Sequence, residues 1–201
     1  MCCSTPVTTR GLLVPFIASL GAGDPTITTR EVGHLEVEHA LLEGADFVVT
    51  PTPPSADLDV IDLGRFPVRA VVSPGHPWAG DRRESVSLVE LVAQQLIVPP
   101  PTSISRQEFD RSLRRAGLAI GRHIESELDE TTIALAASGR GVGVTTTVPP
   151  PSVWAVTILD ENGGPDGPNI SLHVAWQRHH YAAATMRDLG QRLAVAARGS
   201  T

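Results

Sequence analysis

The residues with the clearest capacity for binding chemistry are hydroxyls placed between a short apolar run and a helix. The run Leu96–Val98 is apolar, rich in β-branched residues and too short for a helix, so it predicts a buried strand. The prolines up to Pro101 end that strand. Three hydroxyl residues follow, namely Thr102, Ser103 and Ser105. Hydroxyls and free backbone N–H groups at the positive end of a helix suit a carboxylate or another small anion.

The helix that follows has both of its ends marked in the sequence. Ser105 and Glu108 have the spacing of a capping box, so we expect the helix to begin at Arg106. Gly117 supplies the left-handed residue that ends such a helix. Because capped helices are common, an ordinary helix after a loop is the alternative interpretation of this stretch.

Composition excludes several classes of function. The 201 residues are 41% hydrophobic, which allows one domain or two small ones with a proper core. The net charge of the chain is -6, whereas DNA-binding surfaces are rich in basic residues. We therefore expect that this chain alone does not bind DNA tightly. All 16 basic residues are arginines, which excludes Schiff-base, pyridoxal phosphate and Walker A lysine chemistry. We expect no cofactor.

The N-terminal residues predict a cytoplasmic protein. The chain starts without a basic leader, its first apolar run is interrupted by Pro15, and no segment is long enough to span a membrane. Cys2 and Cys3 are adjacent, so a disulfide between them would be strained. We expect both to be reduced core residues of a strand, with redox sensing as the alternative.

Strand and helix patterns alternate along the chain. That alternation predicts an α/β fold whose sheets are parallel with helical crossovers. Residues 55–67 read as a polar connection. The predicted strands are 1–5, 26–32, 47–49, 68–72, 96–98, 142–147, 153–159 and 170–176, and the predicted helices are 12–20, 34–42, 85–92, 106–116, 129–138 and 182–197.

This order divides into two Rossmann-like halves. The first half has only two helices for its sheet, and a further helix comes last in the chain. We therefore expect the chain to cross twice, so that residues 1–69 and 176–201 form one subdomain and residues 70–175 the other. The cleft between two such lobes would be the binding site.

Several motifs, in order and over nearly the whole chain, resemble the effector-binding domain of LysR-type transcriptional regulators. PGHPWA followed by VSLVEL is the most specific of them. The motifs are Leu13–Pro15, Gly44-x-Asp46, Pro74–Ala79, Val86–Leu91, the loop ending at Arg106, Arg115–Leu118, Leu135–Val144 and Val174–His180.

The resemblance implies a type 2 periplasmic-binding-protein fold, a small-molecule effector and no enzymatic activity. It also implies a homodimer or tetramer that meets DNA only through a winged helix-turn-helix. That domain is not in this sequence, so the chain is either truncated or has lost it. Carried over by position, the effector site comprises Thr8, Thr9, His34, Pro101, Thr102, Ser103, Ser105, Thr132 and Thr145. His34 replaces a hydroxyl that many family members have, and Thr145–Thr147 replaces the usual proline.

Other motifs favour ordinary structural roles. The glycines of 139–143 follow a predicted helix and open a strand, the reverse of a dinucleotide loop. Glu36-x-x-His39 lacks the second such pair that a carboxylate-bridged metal site needs. His179 and His180 are adjacent and therefore unsuited to share one ion. His76 has no nucleophile motif beside it, so it reads as a loop residue.

Three classes of function remain, of which the sensor domain is the leading hypothesis. It would bind a small, carboxylate-bearing metabolite between its lobes and change the DNA affinity of an attached helix-turn-helix. A free-standing solute-binding protein is the second, although the sequence shows no export signal. An enzyme is the third, and no nucleophile with a base, metal cluster or lysine supports it.

Overall fold

The computed structural model describes residues 1–199 and contains two compact α/β units. Unit 1 comprises Met1–Arg65 and the chain from Ser171 onward, and unit 2 comprises Phe66–Ile170. The expected division had placed the two crossings at 69/70 and 175/176. That these units act as the functional lobes remains a prediction.

Unit 1 is built on a five-stranded mixed sheet in the order β2-β1-β3-β11-β4. β1 pairs in parallel with β2 and β3, whereas β11 returns antiparallel to β3. The predicted strands are present, although the sheet is not purely parallel. The strands are β1 Cys2–Ser4, β2 Thr29–Glu31, β3 Phe47–Thr50, β4 Leu58–Pro67 and β11 Asn169–Gln177.

The first helical segment starts earlier than the sequence pattern indicated. Thr5 is the N-cap and Pro6 follows it, where the missing N–H of proline costs no hydrogen bond. The segment runs as α1 (Pro6–Thr8), a π-helical stretch (Thr9–Leu13) and α2 (Val14–Ala18), so its predicted end near Gly21 is approximately right. Its buried apolar side chains are Leu12, Leu13 and Phe16.

The helix predicted for residues 34–42 is wrong. The chain forms successive turns there, and only His39–Leu41 is a 3₁₀ helix. Leu35 and Leu42, expected on an apolar face, are 81% and 76% exposed. Only Val37 and part of the 3₁₀ helix are buried. A buried stripe this narrow supplies too little packing for a regular helix, and short 3₁₀ turns are the usual result.

The polar connection predicted for residues 55–67 is also wrong, because β4 occupies Leu58–Pro67. β4 is an edge strand of its sheet, and only Leu63 in it is buried. An edge strand faces solvent along one side, so it tolerates the aspartates and the glycine that made this segment look like a loop.

The final helix, α7 (Ala183–Arg198), lies in unit 1. Met186, Leu189 and Leu193 are buried on one side of it. Arg192 forms a bidentate ion pair with Asp24, at 2.6 and 2.9 Å, and so ties this helix to a loop 168 residues earlier. The guanidinium holds the pKa of the Asp24 carboxyl at about 2.

Unit 2 is built on a six-stranded sheet in the order β6-β10-β5-β9-β7-β8. β7 pairs in parallel with β8 and β9, and β5 lies antiparallel to β9 and β10. The strands are β5 Arg69–Val72, β6 Ser85–Val86, β7 Leu96–Val98, β8 His123–Glu125, β9 Val142–Thr145 and β10 Trp154–Ile158. The helices are α3 Pro77–Gly80, α4 Leu88–Val92, α5 Ile104–Arg115 and α6 Asp129–Ala137.

Both faces of this sheet are covered. Leu96 and Val98 of β7 join a core that includes Phe109 of α5, while Ile97 joins a second core that includes Ile133 of α6. Strands buried on both faces read as continuous apolar runs, which is why β7 lacks alternation. The apolar run in the sequence therefore predicted β7 correctly.

The two predicted capping boxes have different outcomes. Ser87 and Glu90 form a complete one at the start of α4. Ser105 and Glu108 do not, because α5 begins at Ile104 and the Ser105 hydroxyl bonds to that of Ser103. Glu108 pairs with Arg111 instead.

Within the described residues, no helix combines the length and apolar character needed to cross a membrane.

Gly141 shows why the glycine-rich stretch is structural. A Cβ at this position would lie 2.4 Å from the carbonyl oxygen of Gln95. That oxygen accepts a hydrogen bond from the N–H of Val142 at 2.8 Å, at the start of β9. The glycine allows two backbones to meet, as at other sites of close approach.

Gly141→Ala should therefore destabilise unit 2 by about 1–3 kcal/mol, since backbone must move to admit the methyl group. Urea denaturation measures the loss. Gly121→Ala is the matched control, because no atom lies within 4 Å of its Cβ position, and it should change stability by less than about 0.5 kcal/mol. Equal losses in both variants would contradict the explanation.

A histidine caps α3. His76 Nδ1 accepts a hydrogen bond from the backbone N–H of Trp78 at 3.2 Å, so the imidazole must be neutral at that nitrogen. Burial lowers the pKa of His76, against a smaller opposing contribution from a hydrogen bond with Gln94. The contribution of His76 to stability is therefore present above the unfolded pKa of about 6.5 and is lost as the pH falls through the lower folded pKa.

His76→Asn keeps a capping acceptor that does not titrate. We expect thermal unfolding between pH 7.5 and pH 5 to show a smaller loss of stability for His76→Asn than for the wild type. His76→Ala should be less stable by about 1 kcal/mol at pH 7.5, because the cap is gone. If wild type and His76→Asn had identical pH profiles, the capping role of the neutral imidazole would be refuted.

Candidate functional site

In unit 1, three parallel strands end at the same edge of the sheet. The register aligns Ser4 of β1 with Glu31 of β2 and Val49 of β3. Segments that leave the carboxyl ends of parallel strands form the usual ligand-binding edge of α/β sheets. The turn that opens α1 leaves β1 there, and His34 follows β2 by three residues.

The predicted hydroxyls Thr8 and Thr9 lie at this edge and are already paired. Thr9 Oγ1 lies 2.6 Å from Ser4 Oγ, and Thr8 Oγ1 lies 2.9 Å from Thr5 Oγ1, with either member of each pair able to donate. Thr8 and Thr9 are buried. Because each hydroxyl has one proton and two lone pairs, a ligand could still accept or donate within this network.

A second hydroxyl pair follows β3. Thr50 Oγ1 lies 2.8 Å from Thr52 Oγ1 and accepts the backbone N–H of Thr52 at 3.1 Å. Thr50 comes one residue after Val49, which aligns with Ser4. Ser4, Thr5, Thr50 and Thr52 were not among the predicted site residues. The signal that could have found them is their position, since each lies at the end of a buried parallel strand or within two residues after it.

Unit 2 repeats this arrangement at the carboxyl ends of β7, β8 and β9. Leu96 aligns with His123 of β8 and with Val142 of β9, so the ends of these strands meet at one edge. The predicted turn that leaves β7 is therefore beside Thr145, the last residue of β9. Pro101 and Thr102 are exposed in that turn.

The serines of the same turn form a pair. Ser103 Oγ and Ser105 Oγ lie 2.8 Å apart. Ser103 is the N-cap of α5, but its side chain caps no backbone N–H. The first-turn N–H groups of α5 therefore lie beside two hydroxyls, as a site for a small anion requires.

Arg106 holds the turn in place from the first turn of α5. Its Nη1 donates to the carbonyl oxygen of Pro99 at 2.9 Å, and its Nε donates to Asp110 at 2.9 Å. The side chain of Arg106 is 9% exposed. A buried guanidinium bonded in this way fixes where the chain leaves β7.

A polar cluster of unit 2 was predicted only in part, because Asp129 was not among the predicted site residues. Thr145 Oγ1 and Thr147 Oγ1 each donate to Asp129 Oδ2 at 2.6 Å. Thr145, predicted by its position and by the replaced proline, is completely buried. Thr132, the other predicted residue nearby, is also buried, and its hydroxyl has no hydrogen-bond partner within the described residues.

The cysteines lie in the core, as predicted. Cys2 and Cys3 are both fully buried and free. Burial raises the pKa of the Cys2 thiol far above its usual range. A buried, protonated thiol reacts slowly, since the thiolate is the nucleophile.

A surface pocket of unit 1 is not the predicted site. It has a volume of about 660 Å³ and includes Gln177 and Arg178 in its lining. These residues end or follow β11, which runs antiparallel to β3, so the pocket lies at the edge opposite Thr50.

In residues 1–199, no group of three or more His, Cys, Asp or Glu side chains could hold a metal ion.

Solved structures with a similar fold are LysR-family effector-binding domains and regulators. The BenM effector binding domain with its effector benzoate has 19% identity and a TM-score of 0.79, covering 100% of this chain and 93% of that chain. The effector binding domain of QuiR in complex with shikimate has 15% identity and a TM-score of 0.71, covering 96% and 95%. HinK, a LysR family transcriptional regulator from Pseudomonas aeruginosa, has 19% identity and a TM-score of 0.77, covering 96% and 68%.

These likenesses define the class of protein as a domain with the periplasmic-binding-protein-like fold of LysR effector-binding domains. The family model described as "LysR substrate binding domain" matches residues 3–197. The chain belongs to this family. No curated protein sequence matches it.

The contacts of Arg106 predict a cost for losing it. Arg106→Ala should destabilise unit 2 by about 2 kcal/mol, because a buried carbonyl and a half-buried carboxylate lose a charged donor. Urea denaturation measures this effect. Arg111→Ala, which removes an exposed ion pair from the same helix, should cost less than about 1 kcal/mol. Similar costs for the two variants would show that Arg106 does not fix the turn.

Proposed function

We propose that this chain is the effector-sensing domain of a LysR-type transcriptional regulator. It binds a small, carboxylate-bearing metabolite and alters the DNA binding of an attached helix-turn-helix domain, and it catalyses no reaction. The regulator works as a homodimer or tetramer in the cytoplasm. Membership of the LysR substrate binding domain family supports this proposal over a free-standing solute-binding protein.

The observation that carries the proposal is the repeated hydroxyl-rich edge. In unit 1, the carboxyl ends of β1 and β3 lead into the pairs Ser4 with Thr9 and Thr50 with Thr52. In unit 2, the turn after β7 leads into Ser103 and Ser105 at the start of α5. Hydroxyls close to the first N–H groups of a twelve-residue helix are suited to a carboxylate.

The ligands of similar proteins support the same chemical class. Benzoate is the effector of the BenM domain, and shikimate is bound to the QuiR domain. Both molecules are carboxylates. Because those proteins share less than 20% identity with this chain, we infer only a class of ligand and no particular compound.

Regulation requires more than binding. A ligand shifts the balance between two arrangements of a protein only if it has different affinities for them. A shift from 1:99 to 99:1 needs about 5.5 kcal/mol of differential binding. The effector must therefore contact groups whose geometry differs between the active and inactive regulator.

Thr8→Ala and His34→Ala test the site in a thermal-shift screen against small organic acids, amino acids and aromatic carboxylates. A specific ligand at 100 times its dissociation constant should stabilise the wild type by about 2.7 kcal/mol. Both variants should lose most of that stabilisation, because they lack a donor at the predicted edge of unit 1.

The matched controls are Thr26→Ala and His39→Ala, which remove an exposed hydroxyl and an exposed imidazole from the same unit. Both should respond to the ligand as the wild type does. A ligand that shifts the two site variants and the wild type equally would place the site elsewhere. A broad panel with no stabilising compound would oppose the sensor hypothesis itself.

A further inference from the structure

Asp129 is a buried carboxylate without a cationic partner. It is 9% exposed, and no ion pair joins it to a basic side chain in the part of the chain that the structure describes. A buried charge that lacks a counter-ion is costly, so it is expected to have a partner in some state of the protein.

The hydrogen bonds of Asp129 all reach one of its oxygens. Thr145 and Thr147 both donate to Oδ2 at 2.6 Å. No hydrogen bond from any residue of 1–199 reaches Oδ1. Since an ionised carboxylate has about four acceptor positions, this side chain can accept at least one further donor.

The threonine hydroxyls are restricted to accepting. Each hydroxyl has one proton, and both protons are directed at Asp129. Thr145 is fully buried and also accepts the backbone N–H of Thr147 at 3.0 Å, so it is placed to orient Asp129 and not to meet a ligand. Thr147 is partly exposed and has only lone pairs left to offer. The cluster therefore presents acceptors and a negative charge.

We propose that Asp129 and Thr147 form a binding position for a protonated amine of the effector. An ammonium group has three donors and a positive charge, so it satisfies both the free acceptors and the unbalanced carboxylate. A ligand hydroxyl would satisfy the acceptors alone, and a ligand carboxylate would be repelled.

The inference rests on the proposed function and narrows it. Asp129 lies at the carboxyl edge of the unit 2 sheet, in the first turn of the nine-residue helix α6. The partial positive charge of a helix N-terminus stabilises Asp129 when no ligand is bound. The hydroxyls beside α5 suit a carboxylate, whereas Asp129 and Thr147 suit an amine. The effector class is therefore the zwitterionic amino acids and their close relatives.

The experiment compares matched ligands by isothermal titration calorimetry. The probes are α-amino acids, the carboxylic acids obtained by replacing their amino group with hydrogen, and simple primary amines. The proteins are the wild type, Asp129→Asn, Thr147→Val and the control Glu127→Gln, which removes an exposed charge two residues away. Circular dichroism and the unliganded melting temperature check that each variant is folded.

We expect amino acids to bind the wild type and Glu127→Gln equally. Asp129→Asn should bind them roughly tenfold to a hundredfold more weakly, because the charge partner is lost. Thr147→Val, which keeps the charge, should weaken binding less and serves as a second variant if Asp129→Asn is unstable. The deaminated acids should bind every protein equally.

Each remaining outcome is decisive. If deaminated acids bind the wild type as well as amino acids do, and Asp129→Asn binds both as the wild type does, the amine position is wrong and the sensor proposal stands. If amines without a carboxylate bind through Asp129 while no acid binds, the amine position stands and the carboxylate part of the proposed function fails. If no probe binds the wild type, the amine position fails, and the sensor proposal is decided by the other carboxylates of the thermal-shift screen.

Discussion

The parallel pairing of short buried strands is the interaction on which the rest of this structure depends. β1 lies between β2 and β3 in unit 1, and β7 lies between β8 and β9 in unit 2. Parallel neighbours place all their carboxyl ends at one edge, so each segment that leaves a strand starts beside the others. The candidate binding residues of each unit are brought together by this geometry, although they are far apart in the sequence.

The buried hydroxyls at these edges need hydrogen-bond partners. Ser4, Thr50 and Thr145 are the last residues of their strands, and each is more than nine-tenths buried. Burying a hydroxyl without a hydrogen bond is costly, so these side chains pair with a neighbouring hydroxyl or with Asp129. The pairing orders the groups before a ligand arrives, which reduces the entropy that binding would otherwise have to overcome.

In unit 2, packing on both faces of the sheet fixes the position of the turn at its edge. Leu96 and Val98 face one core and Ile97 the other, so β7 cannot shift along its neighbours without exposing apolar surface. Arg106 then fixes the first residues after β7, and Gly141 allows β9 to start against the backbone of Gln95. The rigid sheet thus sets the position of a turn whose own residues, such as Thr102, are exposed.

The sequence by itself determined the α/β class, the family, most strands and the hydroxyl-rich turn after β7, because short apolar runs, capping residues and motif order are local signals. It misjudged residues 34–42 and 55–67, since a 3₁₀ turn and an edge strand depend on what packs beside them. Only the tertiary structure decided that Asp129 meets Thr145 and Thr147. That meeting follows from the strand register, and register is a relation between distant segments that no local pattern contains.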